Sequence, residues 1–245
     1  MLYLIGTGLA DEQDLTLKGL DAAKRADKVF LEVYTSKLSV DLGSLAKLIG
    51  KEVIPLDRSA VEEGTLVKQA KEETIALLVI GDPLSATTHW DLMSDCKKDN
   101  VEVEVIHNAS IFSAIAATGL QLYKFGKTAS IPHPTPNFKP ETAYDLLKLN
   151  KSIDAHTLCL LDTQPFMTVR QAIDVLLDIE RERNEGLFTE DTLCVGCARI
   201  GAKDQVLVAG KAKDIQAKDF GRPVHCLVVP ARLHFVEEEA LQLFQ

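Results

Sequence analysis

The sequence predicts an α/β protein of two lobes, and three observations carry that expectation. Short apolar runs rich in β-branched residues alternate with helical patterns through the first half of the chain, as they do where helices cross over between parallel strands. One of these runs, "IALLVIG" at 75–81, is apolar almost throughout, which suits a central strand covered on both faces. A proline-rich stretch, "PHPTPNFKP" at 132–140, then interrupts the pattern, because prolines withhold backbone donors and favour extended structure. The expected division is an N-terminal α/β lobe over 1–131 with a mostly parallel sheet and helices on both faces, a linker over 132–140, and a C-terminal α/β lobe over 141–245.

The elements follow in order. Strands are expected at "LYLI", "KVFLEVYT", "KEVIPL", "IALLVIG" and "EVEVI", with helices near 16–26, 41–49, 61–73, 88–98 and 110–119 between and after them. Beyond these come strands at "TASI", "TLCLLD", "TLCVGCARI", "QVLVAG" and "VHCLVVP", with helices near 140–149, 169–183 and 235–243. The stretch "TLCVGCARIGAKDQVLVAG" reads as two adjacent strands joined through Gly201-Ala202-Lys203, so the sheet of the C-terminal lobe should be mixed.

Composition narrows the function. The chain has 245 residues, 46% of them hydrophobic, a formal net charge of −9 and a pI near 5.2. So acidic a domain, without clustered Lys and Arg, argues against direct nucleic-acid binding. No apolar run nears the roughly 20 residues that span a bilayer, and the first residues lack the basic region and small-residue cleavage site of a secretory signal. A cytoplasmic location with no membrane association is the expectation. The five cysteines, Cys96, Cys159, Cys194, Cys197 and Cys226, are read as small core residues. Cys194 and Cys197 form a C-x-x-C pair, but within a strand positions i and i+3 point to opposite faces, so no metal is expected there.

The opening strand runs into Gly6-Thr7-Gly8, where nucleotide-binding domains often turn. A dinucleotide fingerprint requires a third glycine where this chain has Asp11, with Glu12 and Asp14 following. Those carboxylates would repel a pyrophosphate, which weakens a nicotinamide-dependent reading, and no Walker loop is present. Two further strands end in "GDPLS" at 81–85 and "HNASI" at 107–111. Together the three turns offer glycines, one carboxylate (Asp82) and small hydroxyls, but no lysine or arginine. Such a pocket suits a nucleoside that carries positive charge and no phosphate. S-adenosylmethionine has that chemistry, although these residues alone do not single it out.

Several long stretches carry a resemblance. "YLIGTGLADEQDLTLKGLDAAKRADKVFLEVYTS", "VIGDPLSATTH", "HNASIFSAIAATGLQLYKFGKTASIP", "KPETAYDLLKLNKSIDAHTLCLLD", "TLCVGCARIGAKDQVLVAG" and "GRPVHCLVVPARLHFVEEEAL" resemble, in order and over nearly the whole chain, the diphthine synthases (diphthine methyl ester synthases in eukaryotes). These are methyltransferases with the two-lobed tetrapyrrole methylase fold. The resemblance implies S-adenosylmethionine in the cleft between the lobes, S-adenosylhomocysteine as its product, and a homodimer. It implies elongation factor 2 as the protein substrate, methylated on the amine of a 3-amino-3-carboxypropyl histidine. Eukaryotic members also esterify a carboxylate, whereas archaeal ones stop at the trimethylammonium.

Carried over by position, the cofactor contacts implied are Leu9, Asp82, Ser85, Ser110, Ile111, Leu161, Ile200 and His225. Without the family, His225 in its strand would read as a buried, hydrogen-bonded histidine. Two departures stand out: the segment after "LLD" is short, passing almost directly through "TQPFMT" into a helix, and Ser85 stands where relatives commonly carry glycine or a small residue. No catalytic residue is assigned; His107, His133 and Asp162 are candidates for a general base by chemistry alone. The alternatives are a precorrin-type tetrapyrrole C-methyltransferase of the same fold and a non-catalytic member that binds elongation factor 2.

Overall fold

A computed structural model of the chain describes residues 1–33, 42–58, 61 and 64–245. By compactness the chain falls into two units, Met1–Ala114 with Gly201–Lys203, and Ile115–Ile200 with Asp204–Gln245.

The first unit is built on five parallel strands: β1 (Leu2–Gly6), β2 (Lys28–Glu32), β3 (Val53–Leu56), β4 (Ile75–Val79) and β5 (Val103–Ile106), in the order β3-β2-β4-β1-β5. Between them lie α1 (Leu17–Arg25), α2 (Leu42–Ile49), α3 (Thr65–Ala70) and α4 (His89–Lys98). The period of two along each strand feeds two separate cores. Tyr3, Ile5, Ala76, Leu78, Val29 and Leu31 point to the face that Ala22, Leu45 and Ile49 of α1 and α2 cover. Leu2, Leu4, Ile75, Leu77, Val79 and Phe30 point to the other, against Leu66, Val67, Leu92 and Cys96 of α3 and α4. With both faces covered, β4 is buried at every position, as its uninterrupted apolar run predicts. Helix α1 starts where Thr16 accepts a hydrogen bond from Gly19 N at 3.0 Å, an N-cap set just after the acidic turn.

The second unit carries a mixed sheet in the order β6-β7-β10-β8-β9, from β6 (Ala129–Ile131), β7 (Thr157–Leu161), β8 (Leu193–Ala198), β9 (Val206–Lys211) and β10 (His225–Val229). Only β6 and β7 run parallel; β10 is antiparallel to both neighbours, and β8 and β9 pair antiparallel as expected. Because β6 already pairs with β7, the proline-rich segment 132–140 runs inside this unit, where Thr135 and Phe138 form a bridge. One core gathers Tyr144 and Leu147 of α6 (Thr142–Ser152), Ile173 and Leu176 of α7 (Val169–Arg183) and Ile215 of α8 (Ala212–Gln216) onto Ile131, Leu161, Cys194 and Leu227. A side chain at Gly196 would put its Cβ 2.3 Å from the Phe220 ring, so the bare backbone of β8 is what admits that ring. The chain ends in α9 (Phe235–Gln242).

Two helices differ from expectation. The pattern at 110–119 yields α5 (Ile111–Ala114) and then a 3-10 turn over Ile115–Thr118. Thr118 Oγ1 donates to Ile115 O at 2.7 Å and Gly119 N to Ala116 O at 2.9 Å, tightening the segment out of the α geometry. The five residues of α8 were not foreseen. Of the expected elements, residues 34–35, 41 and 62–63 lie outside the described ones. All five cysteines are buried. Cys194 and Cys197 stand in β8, with Cys197 opposite Cys226 of β10. Burial pushes the Cys194 thiol up to about 12, so it is unreactive at neutral pH.

Candidate functional site

In the first unit the strands β4, β1 and β5 are neighbours and run the same way, with Gly6 beside Val79 and Ile5 beside Ile106. Their following turns therefore leave one edge of the sheet together, the position at which open parallel sheets bind ligands. The β1 turn is tied to the β4 turn by backbone bonds from Thr7 N to Val79 O (2.8 Å) and from Gly81 N to Gly8 O (2.8 Å). Gly6 is needed there: a Cβ would lie 2.6 Å from Gly81 O and 2.8 Å from Asn108 Cβ.

Side chains complete the clamp. Asp14 Oδ2 accepts from Leu9 N at 3.0 Å and Ala10 N at 2.7 Å. Those amides are the donors a phosphate would have used, and they are held by a carboxylate from the chain itself. Asn108 Nδ2 donates to Gly6 O and to Asp14 O, each at 2.9 Å, joining the β5 turn to the β1 turn.

Asp82 joins the β5 turn to the β4 turn. Its Oδ1 accepts from Leu84 N (2.9 Å) and Ser85 Oγ (3.1 Å); its Oδ2 accepts from His107 Nδ1 (2.8 Å) and Asn108 N (3.2 Å). A carboxylate offers about four lone-pair sites, so all are in use. Burial pushes the Asp82 carboxyl up, but the bonds from Leu84, His107, Asn108 and Ser85 outweigh it and hold the group below the usual carboxylate range. Asp82 is thus an ionised hub that fixes loops rather than a carboxylate free to meet a cation. Ser110 is buried just before α5, and Ser113 Oγ donates to its carbonyl at 3.0 Å.

In the second unit Leu161, Ile200 and His225 also share one sheet edge. Leu161 ends β7, Ile200 lies just past β8, and His225 begins β10, which runs the opposite way between them. Arg199 sets this edge: Nη1 donates to Phe220 O at 2.8 Å and also to Arg222 O, while Nη2 donates to Asp204 O at 2.9 Å. His225 Nε2 donates to Arg222 O at 3.1 Å, which fixes the tautomer and leaves Nδ1 as an acceptor. That Nδ1 is buried without a hydrogen-bond partner among the described residues. Burial also pushes the imidazole pKa down, so the ring is neutral at pH 7. An orphaned buried acceptor is costly unless something donates to it, and the exocyclic amine of an adenine is such a donor.

The eight residues taken from the resemblance therefore fall into two sets. Leu9, Asp82, Ser85, Ser110 and Ile111 stand on the strand-end turns of the first unit, and Leu161, Ile200 and His225 on one edge of the second sheet. Sequence reasoning missed Asp14, Asn108 and Arg199 as organisers. The one signal for Asn108 and Arg199 was a polar residue shortly after a strand, which is too common to pick out a clamp, and Asp14 showed only as an acidic residue of the first turn. Among the described residues no cluster of three metal-ligating side chains exists, and no helix is long and apolar enough to cross a membrane.

Comparison with known proteins gives one consistent family. A family model described as tetrapyrrole (corrin/porphyrin) methylases matches residues 1–216. A diphthine synthase of Methanococcus aeolicus is 46% identical, covering 99% of this chain and 97% of its own. A diphthine methyl ester synthase of Dictyostelium discoideum is 41% identical, covering 100% of this chain and 98% of its own. A crystal structure of a diphthine synthase superimposes with a TM-score of 0.91 at 38% identity, covering 99% of this chain and 95% of that one.

Proposed function

The chain belongs to the tetrapyrrole methylase family and, within it, to the diphthine synthases, and on that premise we propose the following reaction. The protein transfers methyl groups from S-adenosylmethionine to the amine of a 3-amino-3-carboxypropyl histidine on elongation factor 2, a step of diphthamide biosynthesis. The observation that carries this reading is similarity to diphthine synthases over the full length of both chains. A precorrin-type methyltransferase shares the fold family, but the full-length relatives named here carry the diphthine synthase name, so it is the less supported alternative.

S-adenosylmethionine, when bound, supplies a methyl group on a sulfonium. The family resemblance assigns Leu9 and Ile111 in the first unit, and Leu161 and Ile200 in the second, as apolar residues whose backbone groups serve its adenosyl part. The unpartnered Nδ1 of His225 suits the adenine amine. Asp82 and Ser85 hold the β4 turn in shape, and Ser110 opens the short helix after β5. Because Asp14 already occupies the Leu9 and Ala10 amides, those two donors of the β1 turn are not open to a phosphate. Much of the rate of such a displacement comes from alignment, which is worth roughly 7–11 kcal/mol in well-oriented systems. The protein works in the cytoplasm as a homodimer, a reading that rests on the family resemblance and is checked by light scattering of the purified chain.

The deciding experiment supplies S-adenosylmethionine and elongation factor 2 from cells lacking the corresponding methyltransferase, then weighs the modified-histidine peptide. A gain of three methyl groups establishes the amine chemistry, and a fourth adds the carboxylate ester. No gain, with S-adenosylhomocysteine shown to bind, directs the assay to corrinoid precursors.

A further inference from the structure

An amine cannot accept a methyl group while protonated, and an α-amino group titrates near about 8. Each round of N-methylation therefore has a proton to remove, and three side chains at strand ends have the chemistry to take it. Two of them lack an imidazole braced on a carboxylate. Asp162 accepts from His133 N and Gln164 N, each at 3.2 Å, and His133 Nε2 donates to Pro165 O at 3.1 Å. His107 differs. Its Nδ1 lies 2.8 Å from Asp82 Oδ2, its side chain is 67% exposed, and its Nε2 has no hydrogen bond to the described residues.

We propose that His107, oriented by Asp82, is the base that takes the proton from the substrate ammonium. This rests on the reaction proposed above and adds a residue to it. Donation from Nδ1–H to the carboxylate fixes the tautomer, so the lone pair on Nε2 faces outward. The same arrangement stabilises the imidazolium once formed, with the carboxylate remaining ionised. Three other donors (Leu84 N, Ser85 Oγ and Asn108 N) keep Asp82 charged and in place, so the ring is braced from a rigid turn. The neighbouring β1 turn brings three further carboxylates: Asp14, held on the Leu9 and Ala10 amides, Asp11, which accepts from Gln13 N, and Glu12; α5 brings only the hydroxyls of Ser110 and Ser113 beside the backbone.

The step balances as follows. The ammonium gives its proton to Nε2 and becomes a neutral amine. The amine lone pair forms the N–C bond as the C–S bond breaks, and the electron pair of that bond stays on sulfur, leaving a neutral thioether. The positive charge ends on the methylated nitrogen, and the imidazolium loses its proton to solvent, which its exposure allows. A second and third round repeat the sequence; a trimethylammonium has no proton left and the series ends.

The test is His107→Asn. The asparagine amide can still donate to Asp82 but cannot carry a proton away. S-adenosylhomocysteine affinity by calorimetry should stay within about twofold of wild type. The rate on elongation factor 2 near pH 7 should fall about 100-fold, the low end of general-base effects. The deficit should shrink as pH rises past the amine's own titration, and added imidazole should restore rate to His107→Gly. Independently of turnover, 15N NMR of the ligand-free protein should show His107 as the Nδ1–H tautomer. An Nε2–H tautomer, an unchanged rate and pH profile in His107→Asn, or a rate loss matched by loss of cofactor affinity would each overturn the proposal. Wild-type protein that binds S-adenosylhomocysteine yet adds no methyl group to elongation factor 2 would overturn the reaction itself, and this step with it.

Discussion

In the first unit two organising carboxylates, Asp82 and Asp14, stand beyond the strand ends, on turns; in the second, Glu237 stands on a helix with its charge enclosed. Asp82 and Asp14 each collect hydrogen bonds from turn amides at the edge of a parallel sheet. Glu237, fully buried on α9, collects them from distant parts of the second unit: Gln121 N at 2.9 Å, Lys124 Nζ at 2.8 Å, His156 Nε2 at 3.0 Å and His234 N at 2.8 Å. Ala231 N donates to His156 Nδ1 at 3.0 Å, so the hydrogen that meets Glu237 sits on Nε2. The same chemical group thus fixes a cluster of strand-end turns in one place and fastens a terminal helix in the other. Cutting the first should cost ligand affinity; cutting the second should cost stability.

That contrast is open to direct attack, and the largest effect belongs to Glu237→Ala. Removing one partner of an enclosed charge network costs about 3–5 kcal/mol, read as a lowered denaturation midpoint, with S-adenosylhomocysteine affinity of the folded fraction unchanged. The acid side of the stability profile sharpens the same point. Burial pushes the Glu237 carboxyl up, but the bonds from His234, Lys124, Gln121 and His156 outweigh it and hold it at about 2. Glu180, bonded by Tyr144 Oη and by the amides of Gly186, Leu187 and Phe188, is likewise held at about 2 against burial. Both are depressed below the roughly 4.3 of an unfolded glutamate. Their stabilisation is therefore complete above that pH and lost as pH falls from there toward 2. Urea midpoints should drop across that window, and less steeply in Glu237→Gln.

Next in size is Asp82→Ala, which frees four donors on two turns. Cofactor affinity by calorimetry should weaken about 100-fold, because the two turns lose the carboxylate that pairs four of their donors, while the thermal midpoint moves less than in Glu237→Ala. An unchanged affinity would remove Asp82 from the site. Gly6→Ala follows, because its Cβ must push apart the β1, β4 and β5 turns; about a tenfold loss of affinity is expected. The smallest effect is Lys98→Ala. It breaks an exposed pair with Asp95 on α4, and neither affinity nor denaturation midpoint should change measurably.

The strands were legible because each announces itself locally. Apolar runs such as "IALLVIG" and "TLCLLD" need no distant information, and the pairing of β8 with β9 is written in one continuous stretch. The short α8 carries too few residues to show a helical period. The tightening after α5 depends on one hydroxyl, Thr118, turning onto the backbone. At the site, glycine turns and Asp82 were visible in the sequence, but the clamp was not. Asn108 reaches Gly6 across 102 residues, and Glu237 reaches Lys124 across 113. Bonds of that span leave no periodic trace. His107 was one imidazole among several until a carboxylate was found behind it.

Asp14 has a consequence for competition inside a cell. Phosphorylated nucleotides are commonly met by backbone amides at a glycine turn or helix N-terminus. Here the Leu9 and Ala10 amides already hold a resident anion, tethered four and five positions along the chain. A phosphate would have to displace a group that never diffuses away. Those two amides are thereby closed to a phosphate without any wall being built against it.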